Sequence, residues 1–468
     1  MLVSSLVWAP GCSESSQTTL PRTPSSEAEA AAAPGQDEAE PAPRAADTPG
    51  AGSPTGRFRP RKTAEPEEDD PLNSIGYSAG SQPASEYSGV TRHLTGLSSP
   101  GLNFVVSGHM PGAELLDMEG NVLHTWSAKF EDIWPQFVKA RERPDSRFWR
   151  RAHLFENGDV LAIFESLGIV KLDHDSNILW ARQIPVHHDL QVMEDGSFYA
   201  LGRKITLEED AVPTVRKLSS LRPPDKRDDQ VSILQDYVLH YLPVADSPGY
   251  ELEESISLYR SFTNAGPKKS WNRPAIEFWK RESQRSFTAN HRDIFHTNSL
   301  FILDGGIADR APAFAKGNVL VSLRHLDMIA VVEPEENKTI WTLRGASTLQ
   351  HDAQISSEGH LLYFDNQWKP GRTRIVLMDP ATREIIWEYG TQTGEEFYSE
   401  TCGTVQELPN GNLLVSETDS GRAFEVTRDR KIAWEFYNPH GVGEDDEFIA
   451  SLFEVLRLDA QLVGEWLQ

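Results

Sequence analysis

Three histidines stand at comparable points of the sequence, each at the head of an apolar run. His188 follows His187 in VHHDLQVMEDG, His296 leads IFHTNSLFIL, and His351 leads LQHDAQISSEG. Imidazole is a neutral nucleophile at pH 7, a proton carrier and a metal ligand. One such histidine reads as a polar turn residue. Three at matched points of consecutive units read as a constellation.

Other polar residues fall near them. Arg324 interrupts the apolar stretch NVLVSLRHLDMIAVV. An arginine inside a strand is costly unless it meets an anion or a carboxylate across the fold. Strand alternation puts its neighbour His325 on the opposite side. His296 and Asn298 are two apart, hence on one side of a strand. Asp365 and Asn366 close the run LLYFDN, and Gln350 and Asp352 flank His351 as candidates to orient its ring. At the fourth matched point, ETCGTVQELPNG, Cys402 replaces the histidine.

These residues can meet only if a repeated element delivers them to one place, and the chain carries such a repeat. A turn with glycine precedes an alternating apolar run in ENGDVLAIF, EDGSFYAL, KGNVLVSL, SEGHLLYF and PNGNLLVSE. A strand ending in tryptophan then closes the unit, at Trp126, Trp180, Trp341, Trp387 and Trp434; the last three are 46 and 47 residues apart. A β-rich period of that length is the mark of a four-stranded propeller blade. About six units fit residues 99–457, with Tyr237 and His240 where the third tryptophan belongs. The expected fold is therefore an all-β, six-bladed β-propeller of four-stranded blades. Residues 246–292 break the pattern and read as an insertion, either a lid or a blade decoration. FIASLFEVLRLD reads as a closing strand, with a short helix as the competing assignment, and 458–468 as a tail.

Composition narrows the function classes. Seventy acidic against 45 basic residues argue against nucleic acid as a partner. An anionic substrate would need a local positive cluster in acidic surroundings. Two cysteines, Cys12 and Cys402, offer no zinc pattern, and no P-loop is present, so neither metal nor nucleotide cofactor is expected. No apolar run reaches the length of a spanning helix. The start, MLVSSLVWAPGCSES, ends its apolar part at Gly11-Cys12. A bacterial lipoprotein signal ends in a similar box, so residues 1–12 read either as the remnant of such a signal, shortened by a misplaced start codon and acylated on Cys12, or as an ordinary unstructured start. Residues 13–98, rich in Ala, Pro and Glu, read as a disordered linker.

The globular part resembles the bacterial arylsulfotransferase family, the PAPS-independent enzymes built on a six-bladed propeller. SGHMPGAELLDMEGNVLHTW, HHDLQVMEDG, HTNSL, the Ser322-Leu323-Arg324 triplet, QHD and FDN carry the likeness. The resemblance implies that His351 attacks the sulfuryl group of an aryl sulfate and carries it as a sulfohistidine to a phenol. It implies that His296 and Arg324 hold the sulfate oxygens and that His188 is the remaining active-site histidine. Asn298, Asn366 and His187 are then substrate-lining. The Gly11-Cys12 box, read as a signal remnant, would make the chain an exported protein, periplasmic or anchored to a membrane by lipid. The family's N-terminal dimerisation domain is replaced here by the linker, so a dimer is not supported, and its cysteine pair cannot form from Cys402 alone if Cys12 is lipidated. The alternatives are a non-catalytic propeller that binds a ligand or partner protein, and a quinone-dependent dehydrogenase, whose eight blades, calcium site and vicinal disulfide are not in evidence.

Overall fold

The structure is a computed structural model that describes residues 79–137, 146–208, 231–265, 292–463 and 465–467. Cys12, the proposed signal remnant and the linker up to residue 78 lie outside the described residues.

The described chain forms six blades, each built on four antiparallel strands that are consecutive in all but blade 1, the six-bladed propeller that the repeat predicts. Blade 2 runs from Arg151–Leu154 outward to Ile178–Arg182, blade 3 from Val186–Val192 to Tyr250–Ser257, and blade 4 from Thr297–Ile302 to Lys338–Arg344. Blade 5 runs from His351–Ile355 to Ile385–Tyr389, and blade 6 from Thr404–Glu407 to Ile432–Tyr437. Blade 1 joins the two ends of the fold. Its inner strand is the C-terminal Leu452–Leu458, paired antiparallel with Leu102–Ser107, so the closing strand is a strand and not a helix.

The recurring glycine turn appears as expected: Gly158 and Gly411, at φ 85° and 82°, sit in the left-handed region that other residues avoid. Each closing tryptophan lies on the fourth strand of its blade. Three of them reach forward with the indole N–H: Trp126 to the Gly158 carbonyl of blade 2 at 2.9 Å, Trp387 to Arg428 of blade 6 at 2.9 Å, and Trp434 to Met118 of blade 1 at 3.0 Å. The tryptophan thus fills the gap between blades and satisfies its one polar atom on the neighbour.

Three expectations change. Gly89–His93, assigned to the linker, pairs with Ile432–Tyr437 as a fifth strand of blade 6. Tyr250–Ser257, assigned to the insertion, is the outer strand of blade 3, and Tyr237 and His240 lie on the third strand. The strand YELEESIS was missed because its outer face is charged and it carries no tryptophan. The two strands before it in the blade are also long: Phe198–Glu208 and Val231–Pro243 stretched the spacing. Residues 266–291, most of the assigned insertion, lie outside the described residues. Finally, NVLVSLRHLDMIAVV is two strands, Val319–Leu323 and Met328–Glu333, with a 3-10 turn at Arg324–Leu326 between them. Asp327 takes φ 49° to close that turn without a glycine, which hid it in the sequence.

Candidate active site

Antiparallel alternation decides which ends meet. Inner strands start, second strands finish, and outer strands finish at one end of the propeller. His188, His296 and His351 at inner-strand starts, and Arg324 and Asn366 near second-strand ends, therefore share that end. A β-bulge opens the inner strands of blades 3, 4 and 5. The register slips between Ala200 and Leu201 opposite His187–Leu190, between Thr297 and Ser299, and between His351 and Gln354. Bulges re-aim side chains. Here they come with positive φ on non-glycine residues, 57° at His188, 47° at His296 and 52° at Asp352, and Cys402, ahead of the regular blade 6 inner strand, shares it at 56°. Such strained backbone clusters at functional sites.

The resulting cluster is tight. The rings of His188 and His296 meet edge to face at 5.1 Å, and those of His296 and His325 lie 4.4 Å apart. His325 was expected on the far side of its strand. Because the strand ends at Leu323, the 3-10 turn instead brings it beside Arg324 and onto His296, with Nδ1 3.0 Å from the Asp293 carbonyl. Asp293 accepts from the His296 backbone N–H at 2.9 Å and from its Nδ1 at 2.7 Å. Burial works to raise the Asp293 carboxyl, but His296 and His325 outweigh it and hold it below the usual carboxylate range. This aspartate was not picked out from the sequence. The only signal was its place three residues before His296.

His351 is held differently. Its Nδ1 lies 2.7 Å from Asn366 Oδ1 and 3.0 Å from the Leu349 carbonyl. Asn366 has no freedom to turn, because its Nδ2 donates to the Ser399 and Cys402 carbonyls at 3.0 and 2.7 Å. Both partners of Nδ1 are acceptors, so Nδ1 carries the proton and Nε2 keeps its lone pair. Gln350 and Asp352, the flanking candidates, do not touch the ring. Gln350 Nε2 donates to Ser322 Oγ and the Met328 carbonyl, and Asp352 accepts the Val405 N–H at 2.7 Å. The Gln350 carbonyl in turn accepts from Asn298 Nδ2 at 2.8 Å and Ser322 Oγ at 3.1 Å, so the Ser322-Leu323-Arg324 triplet is fastened to the His351 turn. Asn298 Oδ1 is buried and accepts nothing among the described residues.

The electrostatics are those of a positive pocket. Burial first, then the Arg324 guanidinium, push the His351 imidazole well below its ordinary value. Burial also lowers His296, against Asp293 and with Arg324. Burial and the neighbouring His187, His296, Arg150 and Arg203 push His188 well down. Arg324 thus acts on both His296 and His351, and no carboxylate pairs with it among the described residues. Arg150, just ahead of the blade 2 inner strand, occupies the matching point in that blade, which the sequence reading passed over. Of the adjacent pair, His188 contacts His296, whereas His187 turns toward Asp236, with Nε2 3.6 Å from Oδ1, beyond hydrogen-bond length. Cys402 is a buried free thiol.

Residues 273–439 match the model of the arylsulfotransferase (ASST) family. The match takes in blades 4 to 6, and with them His296, Arg324, His351 and Asn366; His188 lies before it. The arylsulfotransferase resemblance drawn from the motifs therefore holds over that region. No curated protein matches the chain. Among solved structures, a Bacteroides caccae protein of unknown function is similar at 11% identity and TM-score 0.45, over 72% of this chain and 94% of that one. A virginiamycin B lyase from Staphylococcus aureus is similar at 10% identity and TM-score 0.32, over 62% of this chain and 70% of that one.

Proposed function

We propose that the chain is a sulfotransferase that moves a sulfuryl group from an aryl sulfate to a phenol through a sulfohistidine at His351. The observation that carries this reading is the fixed tautomer: Asn366 and the Leu349 carbonyl hold the Nδ1 proton and leave Nε2 as a nucleophile beside Arg324.

Nε2 attacks sulfur, the sulfur–aryloxy bond breaks, and its electron pair leaves with the phenolate. A neighbouring histidine in its imidazolium form protonates that oxygen, and His296 is favoured over His188 because the Asp293 carboxylate opposes the lowering of its value. The acceptor phenol then loses its proton to the same histidine and attacks sulfur, and the N–S bond pair returns to Nε2. Charge grows on the sulfuryl oxygens as in phosphoryl transfer, so fixed positive donors supply much of the stabilisation. Arg324 offers a planar fork to two oxygens, and His296 faces the same space. Asn298 Oδ1 completes the lining, whereas Asn366 acts through His351 and His187 faces Asp236. The chemistry draws on no metal or nucleotide. We also propose export, with Cys12 as a lipid attachment point.

The test is incubation with 4-nitrophenyl sulfate and a phenol. Release of nitrophenolate, its loss in His351→Ala, and a sulfuryl mass increase on the peptide that holds His351 are expected. No release by the wild type, or equal release by His351→Ala, sinks the proposal and leaves a non-catalytic binding propeller as the better reading.

A further inference from the structure

A second histidine cluster stands at the seam where the ring closes. His109 lies in the loop after Leu102–Ser107, Glu114 in the middle of the next strand of blade 1, Gly112–Leu116, and His440 just after the fourth strand of blade 6. By the strand directions, all three open on the same end of the propeller as His351, at a separate point of its rim. The two rings stack at 3.7 Å between centroids and 13° between planes, and His440 Nε2 lies 3.3 Å from Glu114 Oε2. One ligand-type atom from each residue falls within 4.8 Å of the other two.

The surroundings fit a ligand set. His109 Nδ1 is 2.7 Å from Ser107 Oγ, and that oxygen also accepts from Asn438 Nδ2 at 3.0 Å. Asn438 Oδ1 accepts the His440 backbone N–H at 3.2 Å, so one asparagine braces both histidines. A metal-bound imidazole commonly has its other nitrogen held in this way. Glu114 is only 12% exposed and His440 35%, which leaves one side open to solvent. The chain's net charge of −25 favours cations at its surface.

We propose that His109, Glu114 and His440 bind a divalent first-row transition ion, zinc being the probe of choice, as a clip between blade 1 and blade 6. Two imidazoles and one carboxylate suit such ions, with room for water as a further ligand. Stacked nearly parallel as they are, the two rings must splay apart by tens of degrees before both lone pairs meet on one ion, and the open side of His440 leaves room for that movement. The clip ties the two blades that the C-terminal strand also closes, so binding should be read in stability and not in turnover.

The experiment titrates Zn2+ into the full chain, stripped of metal by a chelator, and follows bound equivalents by calorimetry and Tm. Wild type is expected to bind one equivalent more than His440→Ala and than Glu114→Gln, and to gain a few degrees in Tm that neither variant gains. Both variants are expected to melt cooperatively without metal, near the metal-free wild type; His440 is partly exposed and Glu114→Gln keeps the side chain's shape. Equal stoichiometry and equal Tm gain in wild type and both variants would place the ion elsewhere, for instance on Asp293, His296 and His325, and overturn the proposal. Absence of any binding to the wild type overturns it too.

Discussion

At the scale of single residues, His351 differs from an ordinary strand-entry histidine in two ways. Its ring is held by acceptors on one nitrogen only, and burial with Arg324 keeps it unprotonated. A histidine whose value is lowered on folding takes up a proton only at pH below the ordinary range. Donor turnover of 4-nitrophenyl sulfate should therefore show no loss of the nucleophile near pH 6.5, and a pH–rate profile that falls with a midpoint at or above that value would contradict the assignment. Removing the tautomer lock by Asn366→Ala should lower kcat about 10- to 1,000-fold with KM little changed, because the ring loses its preferred proton position and not its substrate contacts. Steady-state kinetics on the folded variant check this. The type and phase of His296 and His351 were legible in the sequence. The identity of the orienting group was not: Gln350 and Asp352 are neighbours in the chain, but the bulge at 351–354 turns Asp352 away, and Asn366 arrives from the adjacent strand.

At the scale of elements, the blade is built by its turn and its tryptophan. Trp434 is fully buried and donates to Met118 across the seam of blades 6 and 1, whereas Trp387 is only partly buried. Trp434→Ala should cost about 3–5 kcal/mol and Trp387→Ala less, as measured by urea unfolding. Nearly equal losses would show that the seam is not special. Regular spacing made these strands readable. Where charge covered an outer strand, as in YELEESIS, or where Asp327 replaced glycine in a turn, periodicity carried no signal, and the strand or turn was assigned wrongly. His325 was misplaced for the same reason.

At the scale of the whole molecule, the central channel carries a second charged layer directly behind the histidines. Arg151 of blade 2 meets Glu454 of blade 1 at 2.7 Å, Asp189 of blade 3 at 3.2 Å and Asp352 of blade 5 at 3.6 Å. They line a cavity of about 270 Å³. Each carboxylate except Glu454 directly follows an active-site histidine in the chain, so the alternation that aims His188 and His351 at the site sends Asp189 and Asp352 down the channel. Asp189 and Asp352 also accept backbone N–H groups of the next blades, Leu300 at 2.9 Å and Val405 at 2.7 Å, and so lace the inner strands together. Burial, opposed by Arg151 and reinforced by Asp189, pushes Asp352 up to about 7. A carboxyl raised on folding binds its proton more tightly in the native state, so native stability falls as pH rises from about 4 through about 7. Asp352→Asn should therefore melt higher relative to wild type at pH 8 than at pH 5, and thermal scans at the two values decide it. An equal or reversed difference would mean that the ion pair with Arg151 outweighs burial.

The sequence by itself determined the propeller and the blade count. Turn glycines and closing tryptophans are local requirements of each blade, and they recur because each blade solves the same packing problem. It also placed the three histidines in phase, since phase is a property of the repeat. Only the tertiary structure decided which groups act on them. Asp293, Asn366, Arg151 and the seam pair His109 and His440 depend on bulges, on a turn without glycine and on ring closure between residues more than 300 apart. Those contacts are long-range, and no local pattern in the chain encodes them.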